Sequence, residues 1–99
     1  MKKALVIVPF ALDEEGLSNR EKQVEKVSLS NDLSFELKPV TAGPSSFMSS
    51  HDTALMEMSI FEAGISAEED GYNVVIIDTM SDSGMAPLRS VLNIPVVSP

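Results

Sequence analysis

Cysteine is absent from the 99-residue chain, and so is tryptophan. Without thiols there are no disulfide cross-links, thiolate metal sites or thiol nucleophiles within these residues. A single histidine, His51, gives no basis for a structural zinc site, and no metal is expected. Basic residues are scarce: seven Lys and Arg face fifteen Asp and Glu, for a net charge of −8. Nucleic-acid binding needs a basic footprint that this chain does not supply. No apolar stretch approaches the ~18 residues that span a bilayer, so no membrane partner is expected. The run from Ala4 to Leu12 follows Lys2 and Lys3 in the manner of a secretion signal. Pro9 interrupts it, no small-residue cleavage site follows, and Asp13-Glu14-Glu15 comes at once. The expected compartment is the cytoplasm.

What is present is the alternation of an α/β protein in one domain. Ala4–Phe10 is a continuous apolar run suited to a strand buried on both faces. Ser18 and Glu21 stand at capping-box spacing, which predicts a helix from Asn19 to Ser28 with Leu17, Val24 and Val27 as its slight apolar face. Ser34–Val40 alternates, with Phe35, Leu37 and Pro39 on one side and Glu36 and Lys38 on the other; its internal proline suggests an edge strand. Ser49 and Asp52 repeat the capping spacing and predict a helix from Ser50 to Asp70, with Ala54, Met58, Phe61 and Ile65 as its buried stripe and Gly71 at its C′ position. Asn73–Thr79 is a second fully apolar strand. A short helix over Met85–Leu92 and a strand over Ile94–Val97 complete the chain.

The order strand–helix–strand–helix–strand–helix–strand predicts a three-layer α/β/α lobe. Its four-stranded parallel sheet has the order 2-1-3-4 of flavodoxin- or Rossmann-like folds. Right-handed crossovers place the first helix on one face and the other two on the opposite face. One face of strands 3 and 4 then has no helix to cover it, yet strand 3 is apolar on both sides, with Val74 and Ile76 pointing one way and Val75 and Ile77 the other, and strand 4 adds Val96 and Val97, one per face. Such a patch marks an interface or a missing piece. The expected partner is a second lobe, or another copy in a homo-oligomer, lying over strands 3 and 4.

Ligands of open parallel sheets bind at the carboxyl ends of the strands. Three segments meet there: Pro9–Leu12, Thr41–Ser50 and Thr79–Gly84. The second carries Ser45 and Ser46 after Gly43-Pro44, and the third carries Thr79, Met80 and Ser81 ahead of a helix. Hydroxyls and free backbone N–H groups there suit an anion such as a carboxylate. The plainer reading is that Ser81, Asp82 and Ser83 cap the helix and that the Gly-Pro-Ser-Ser loop is turn chemistry. His51 reads as a surface histidine, Asp78 as a structural hydrogen-bonding group, and Asp13-Glu14-Glu15 as a solvated turn.

The stretch GYNVVIIDTMSDSGMAPLRSVLNIPVV resembles the signature of the aspartate/glutamate/hydantoin racemase family. In that family a strand ends in a Cys-Phe-x-Asp-Pro-Gly loop, followed by a helix with Ala-Leu-Arg and then Ile-Pro-Val-Val. Gly71-Tyr72, Asp82, Gly84, Leu88-Arg89 and Ile94–Val97 fit this pattern. GPSSFMSSHDTAL is similar to the family's Gly-Pro-x-Ser-Ile-Glu-Ser-x-Tyr-Asp segment, and VIVPFALDEEGLSNRE sits where the family has Val-Ile-Asn-Pro-Asn-Thr. The resemblance implies a cofactor-independent isomerase of two similar lobes, with a small carboxylate such as an amino acid or hydantoin in the cleft between them. It also implies that residues 1–99 form the first lobe.

Two departures bear on chemistry. Anchored on Asp82 and Gly84, the family's first catalytic cysteine falls on Thr79, and Phe10 replaces a common asparagine. A threonine hydroxyl is too weak an acid to shuttle a proton near neutral pH, so the fragment is expected to be inactive. The resemblance leaves a carboxylate pocket built from Pro9, Phe10, Ser45, Ser46, Thr79 and the backbone N–H groups of Met80 and Ser81. Relatives lacking one cysteine carry out decarboxylation or other isomerisations. Two other classes compete with this reading. A receiver-like signalling module also ends its third strand in Asp, but it needs acidic residues directly after strand 1 and a Lys after a fifth strand. A non-catalytic interaction domain would use the bare sheet face.

Overall fold

A computed structural model describes residues 2–25, 33–41, 49–79 and 83–99. Its elements run β1 (Lys2–Val8), α1 (Glu14–Glu25), β2 (Leu33–Pro39), α2 (Ser50–Gly64), β3 (Val74–Ile77), α3 (Met85–Val91) and β4 (Val96–Val97). The four strands are all parallel, in the order β2-β1-β3-β4. This is the architecture and strand order expected from the alternation of elements.

β1 lies at the centre because its side chains are apolar on both faces. Leu5 and Ile7 point to the face covered by α2 and α3, with Val75, Ile77 and Val96 beside them. Ala4, Val6 and Val8 point to the α1 face and are also buried. Full burial of an aliphatic side chain contributes about 1.5–3 kcal/mol, so this strand supplies a large share of the core. It ends at Val8, two residues before the expected Phe10. Pro9 has no N–H to offer a strand paired on both edges.

α1 begins earlier than the capping-box spacing suggests. Asp13, not Ser18, is the cap: its Oδ1 accepts from the Gly16 amide at 2.7 Å, and its carbonyl accepts from Leu17 at 2.9 Å. The acidic group read as a solvated turn is the helix's first turn, where Glu14 and Glu15 suit the dipole. Val27 and Ser28 lie outside the described residues.

α2 starts as expected, with the Ser49 side chain accepting from the Asp52 amide at 3.2 Å. Its expected buried stripe is contradicted. Met58 is 72% exposed and Ile65 48%, Ala54 is exposed, and Phe61 is only half-buried. The face on the sheet is Met56, Ile60, Ala63 and Gly64, continued by Ala67. The reason is steric. A Cβ on Gly64 would stand 3.0 Å from Ile7 Cδ1 and from Leu88 Cδ1, so the helix packs through its small residues at close approach. A pattern weighted by large side chains selects the wrong face.

Regular helix stops at Gly64, and the chain continues in helical turns to Gly71. The Tyr72 amide bonds the Ala67 carbonyl at 3.1 Å and the Gly71 amide bonds that of Glu68 at 3.2 Å. This is a Schellman pair, and Gly71 holds its left-handed position at φ +91°. β3, β4 and α3 are trimmed relative to the sequence reading, and β2 keeps its length but starts and ends one residue earlier, at Leu33 and Pro39.

The two faces of β3 and β4 differ. On the α2 side Val75, Ile77 and Val96 are buried. On the α1 side Val74 and Ile76 are half-buried and Val97 is 41% exposed. The cover from this chain therefore thins toward β4 on that face, as the crossover geometry requires.

At the amino ends of the strands a polar cluster holds β1, β2 and β3 together. The Lys3 and Asn73 backbones are joined by Asn73 N to Lys3 O at 2.8 Å, and the Lys3 amide donates to Asn73 Oδ1 at 2.9 Å. Tyr72 donates its phenol proton to the Glu36 carboxylate. Lys3 Nζ lies 3.7 Å from Glu36 Oε1 and 5.1 Å from the Tyr72 ring centre. The Glu36 bond, then burial and the negative charges of Glu36 and Asp70, push the Tyr72 phenol up to about 12 from its ordinary 10.0. The protonated phenol is the form the fold favours. Its contribution is complete below pH 10 and disappears as pH rises through about 12. Tyr72 is the sole tyrosine and there is no tryptophan, so absorbance at the phenolate band reports it alone. The expected midpoint is near 12, moving toward 10 in Glu36→Ala; a wild-type midpoint at the ordinary value would contradict this contact.

Candidate functional site

The parallel register places three strand exits side by side. Val8 pairs with Pro39, and Ile7 with Ile77. The ladder runs slightly past the strands, with Val40 N bonded to Val8 O at 3.0 Å and Asp78 N to Ile7 O at 2.9 Å. Pro9-Phe10, Val40-Thr41 and Asp78-Thr79 therefore leave the sheet along one edge. Pro9 is buried, Phe10 is 43% exposed and Thr79 is half-buried. Immediately after β3 the Thr79 amide turns back to the Ile77 carbonyl at 2.9 Å, a three-residue γ-turn centred on Asp78. That turn sends the chain from the sheet toward α3.

Of the residues expected at a carboxylate pocket, Pro9, Phe10 and Thr79 are brought to this edge. Ser45, Ser46, Met80 and Ser81 lie outside the described residues, as does Asp82. The capping reading of the loop before α3 needs correction at Ser83. The N-cap is Gly84, in a left-handed conformation with no side-chain capping bond, and Ser83 is buried beside it.

One feature escaped the sequence reading. Arg20 of α1 forms an ion pair with Asp78 at the end of β3. It also donates from Nη1 to Gln23 Oε1 at 3.4 Å. With the helix start misplaced, the face that Arg20 occupies could not be read. The pair links α1 to the γ-turn that presents Thr79. Both side chains are about one-third exposed, so the pair orients the turn more than it stabilises the fold. It also commits the Asp78 carboxylate to a cation. Among the described residues no three His, Cys, Asp or Glu side chains converge as a metal site would require. His51, on the first turn of α2, is exposed, with Nδ1 3.3 Å from Asp52 Oδ1. Among the described residues no helix is long and apolar enough to cross a membrane.

Gly84 fixes where α3 begins. A Cβ there would fall 2.6 Å from Ile60 Cγ2, so α3 closes onto α2 only without a side chain at this position.

No protein-family model and no curated protein sequence matches the chain. Among solved structures, an allantoin racemase from Klebsiella pneumoniae superposes with a TM-score of 0.81 at 17% sequence identity. The match covers 99% of this chain and 39% of that one. The likeness shows a shared fold, and the chain spans well under half the length of the structure it matches.

Gly84 and Gly71 provide a paired test of this packing. Gly84→Ala suffers both positive φ (+79°) and the clash with Ile60. The expected loss is about 2–4 kcal/mol in urea unfolding. Gly71→Ala has φ +91° but nothing within 4 Å, so strain alone should cost about 1–2 kcal/mol. Equal losses would show that the α2–α3 contact is not as close as described.

Proposed function

We propose that residues 1–99 form the carboxylate-binding first lobe of a two-lobed racemase-like protein of the aspartate/glutamate/hydantoin type. The observation that carries this reading is the superposition of the whole chain on part of an allantoin racemase. The residue pattern from Gly71 to Val97 and the convergence of Pro9, Phe10 and Thr79 at the carboxyl edge support it.

In this reading a small carboxylate, an amino acid or a hydantoin-related acid, lies against Pro9 and Phe10. Thr79 donates its hydroxyl proton to the ligand, and Ser45, Ser46 and the amides of Met80 and Ser81 complete the pocket. Hydrogen bonds to an anionic acceptor are the strong kind, worth roughly 1.5–3 kcal/mol each. No cofactor enters the scheme. Racemisation needs a group that removes the α-proton and one that returns it. Thr79 cannot do either near neutral pH, because its hydroxyl does not ionise in that range. The lobe therefore binds and orients, and proton transfer requires residues from elsewhere. Those residues come from a second lobe or a second copy lying over the half-open face of Val74, Ile76 and Val97. The working compartment is the cytoplasm. That same half-open face favours a second reading, in which the chain is a non-catalytic assembly domain.

Thermal unfolding in the presence of aspartate, glutamate, malonate, maleate and a hydantoin tests the proposal. A ligand at a hundred times its Kd stabilises by about 2.7 kcal/mol, a rise of roughly 10 °C or more for a domain this size. One of these carboxylates should raise Tm in that way, Thr79→Val should abolish most of the rise, and no deuterium should enter the ligand's α-position. No shift with any carboxylate would favour the assembly reading; α-proton exchange by the isolated chain would overturn the binding-only role.

A further inference from the structure

α2 is apolar on two opposite sides. One side lies on the sheet. On the other, Ala54, Met58, Phe61 and Ile65 recur at spacings of four, three and four residues, the a/d spacing of a helix that packs against another helix. This is the stripe whose periodicity predicts a core face; the structure turns Ala54, Met58 and Ile65 outward and leaves Phe61 half-buried, one side against the core and one lining the open side. Met58 (72% exposed) and Ile65 (48%) stand out on this side, and Val91 of α3 (52%) lies beside Ile65. An open groove of about 530 Å³ runs along it, lined by Ala54, Glu57, Met58, Phe61, Glu62 and Pro87.

The rim has one sign. Glu57 and Glu62 border the groove, and Glu68 and Glu69 line a separate dip with Ile65 and Val91. Glu62 accepts from Thr41 and Glu68 from the Asn93 amide, contacts with neutral donors that leave their charge uncompensated. No Lys or Arg occurs from Ser49 to Asp70. The cations of the neighbouring elements are turned to main-chain carbonyls: Lys38 Nζ to Ala63 at 2.9 Å and Arg89 Nε to Val96 at 3.0 Å. An apolar seam with an acidic rim is complementary to an amphipathic helix flanked by basic residues. We propose that this seam docks such a helix from a partner protein, with Lys or Arg beside its apolar stripe. A second copy of this chain fits poorly, because seam-to-seam packing would set Glu57 and Glu62 against their own copies in a chain of net charge −8. This surface is independent of the carboxylate reading.

The test uses the 99-residue chain and a fluorescent helical peptide of about three heptads, with Leu at a and d and Lys at e and g. A matched peptide carries Glu at e and g. Anisotropy should show the Lys peptide binding at least about tenfold tighter than the Glu peptide, with the preference shrinking as salt rises. Met58→Glu should weaken the Lys peptide about tenfold. Non-specific attraction to an acidic protein would instead strengthen with that added charge. Reversing the rim, with Glu57→Lys and Glu62→Lys together, should transfer the preference to the Glu peptide. All three residues are at the surface or groove rim, and unchanged Tyr72 titration verifies folding. No binding, equal binding of both peptides, or a chain dimer that Met58→Glu dissolves would each overturn the proposal. Carboxylate binding should be unchanged in Met58→Glu, so the two readings fail separately.

Discussion

The pairing of β1 on both of its edges is the constraint on which the rest of the structure depends. A strand with apolar side chains on both faces cannot sit at an edge or face water. Placing Lys2–Val8 in the middle requires β2 on one side and β3 on the other. Parallel neighbours on both edges require crossovers, and right-handed crossovers to opposite sides put α1 and α2 on opposite faces. The change of direction between β2-β1 and β1-β3 opens the carboxyl edge, where Pro9 ends the central strand and the γ-turn at Asp78 ends its neighbour. The candidate site is thus a consequence of where the apolar run is placed.

The same constraint explains the uneven cover of the sheet. α2 and α3 seal one face of β3 and β4 through Ile60, Leu88 and the close approach of Gly64. α1 packs on β2 on the other face, and its Arg20 pairs with Asp78 just past the end of β3. Val97 is left 41% exposed. A lobe with one sealed and one half-open face is suited to function beside another unit.

Much of this was legible in the sequence. The strands announced themselves as short apolar runs, and their alternation with helices carried the sheet order. The Ser49–Asp52 cap and Gly71 were readable because caps depend on local chemistry. The start of α1 was missed because two capping signals compete within six residues, and Asp13 prevailed with two acidic residues behind it. The buried face of α2 was misread because Ala63, Gly64 and Ala67 contribute little hydrophobicity but allow the closest packing. At the site, Pro9, Phe10 and Thr79 could be placed from topology alone. The Arg20–Asp78 pair could not, since it joins residues far apart in sequence and depends on the true phase of α1.

Amide chemical-shift mapping with malonate tests the proposal that the carboxyl edge of β1 and β3 receives a small carboxylate. Saturable movement of the Phe10 and Thr79 amides, with the Lys3 and Asn73 amides at the opposite end of the strands unmoved, is the expected result. Saturable shifts confined to the Lys3–Asn73 end, or none at the Phe10–Thr79 edge, would contradict it.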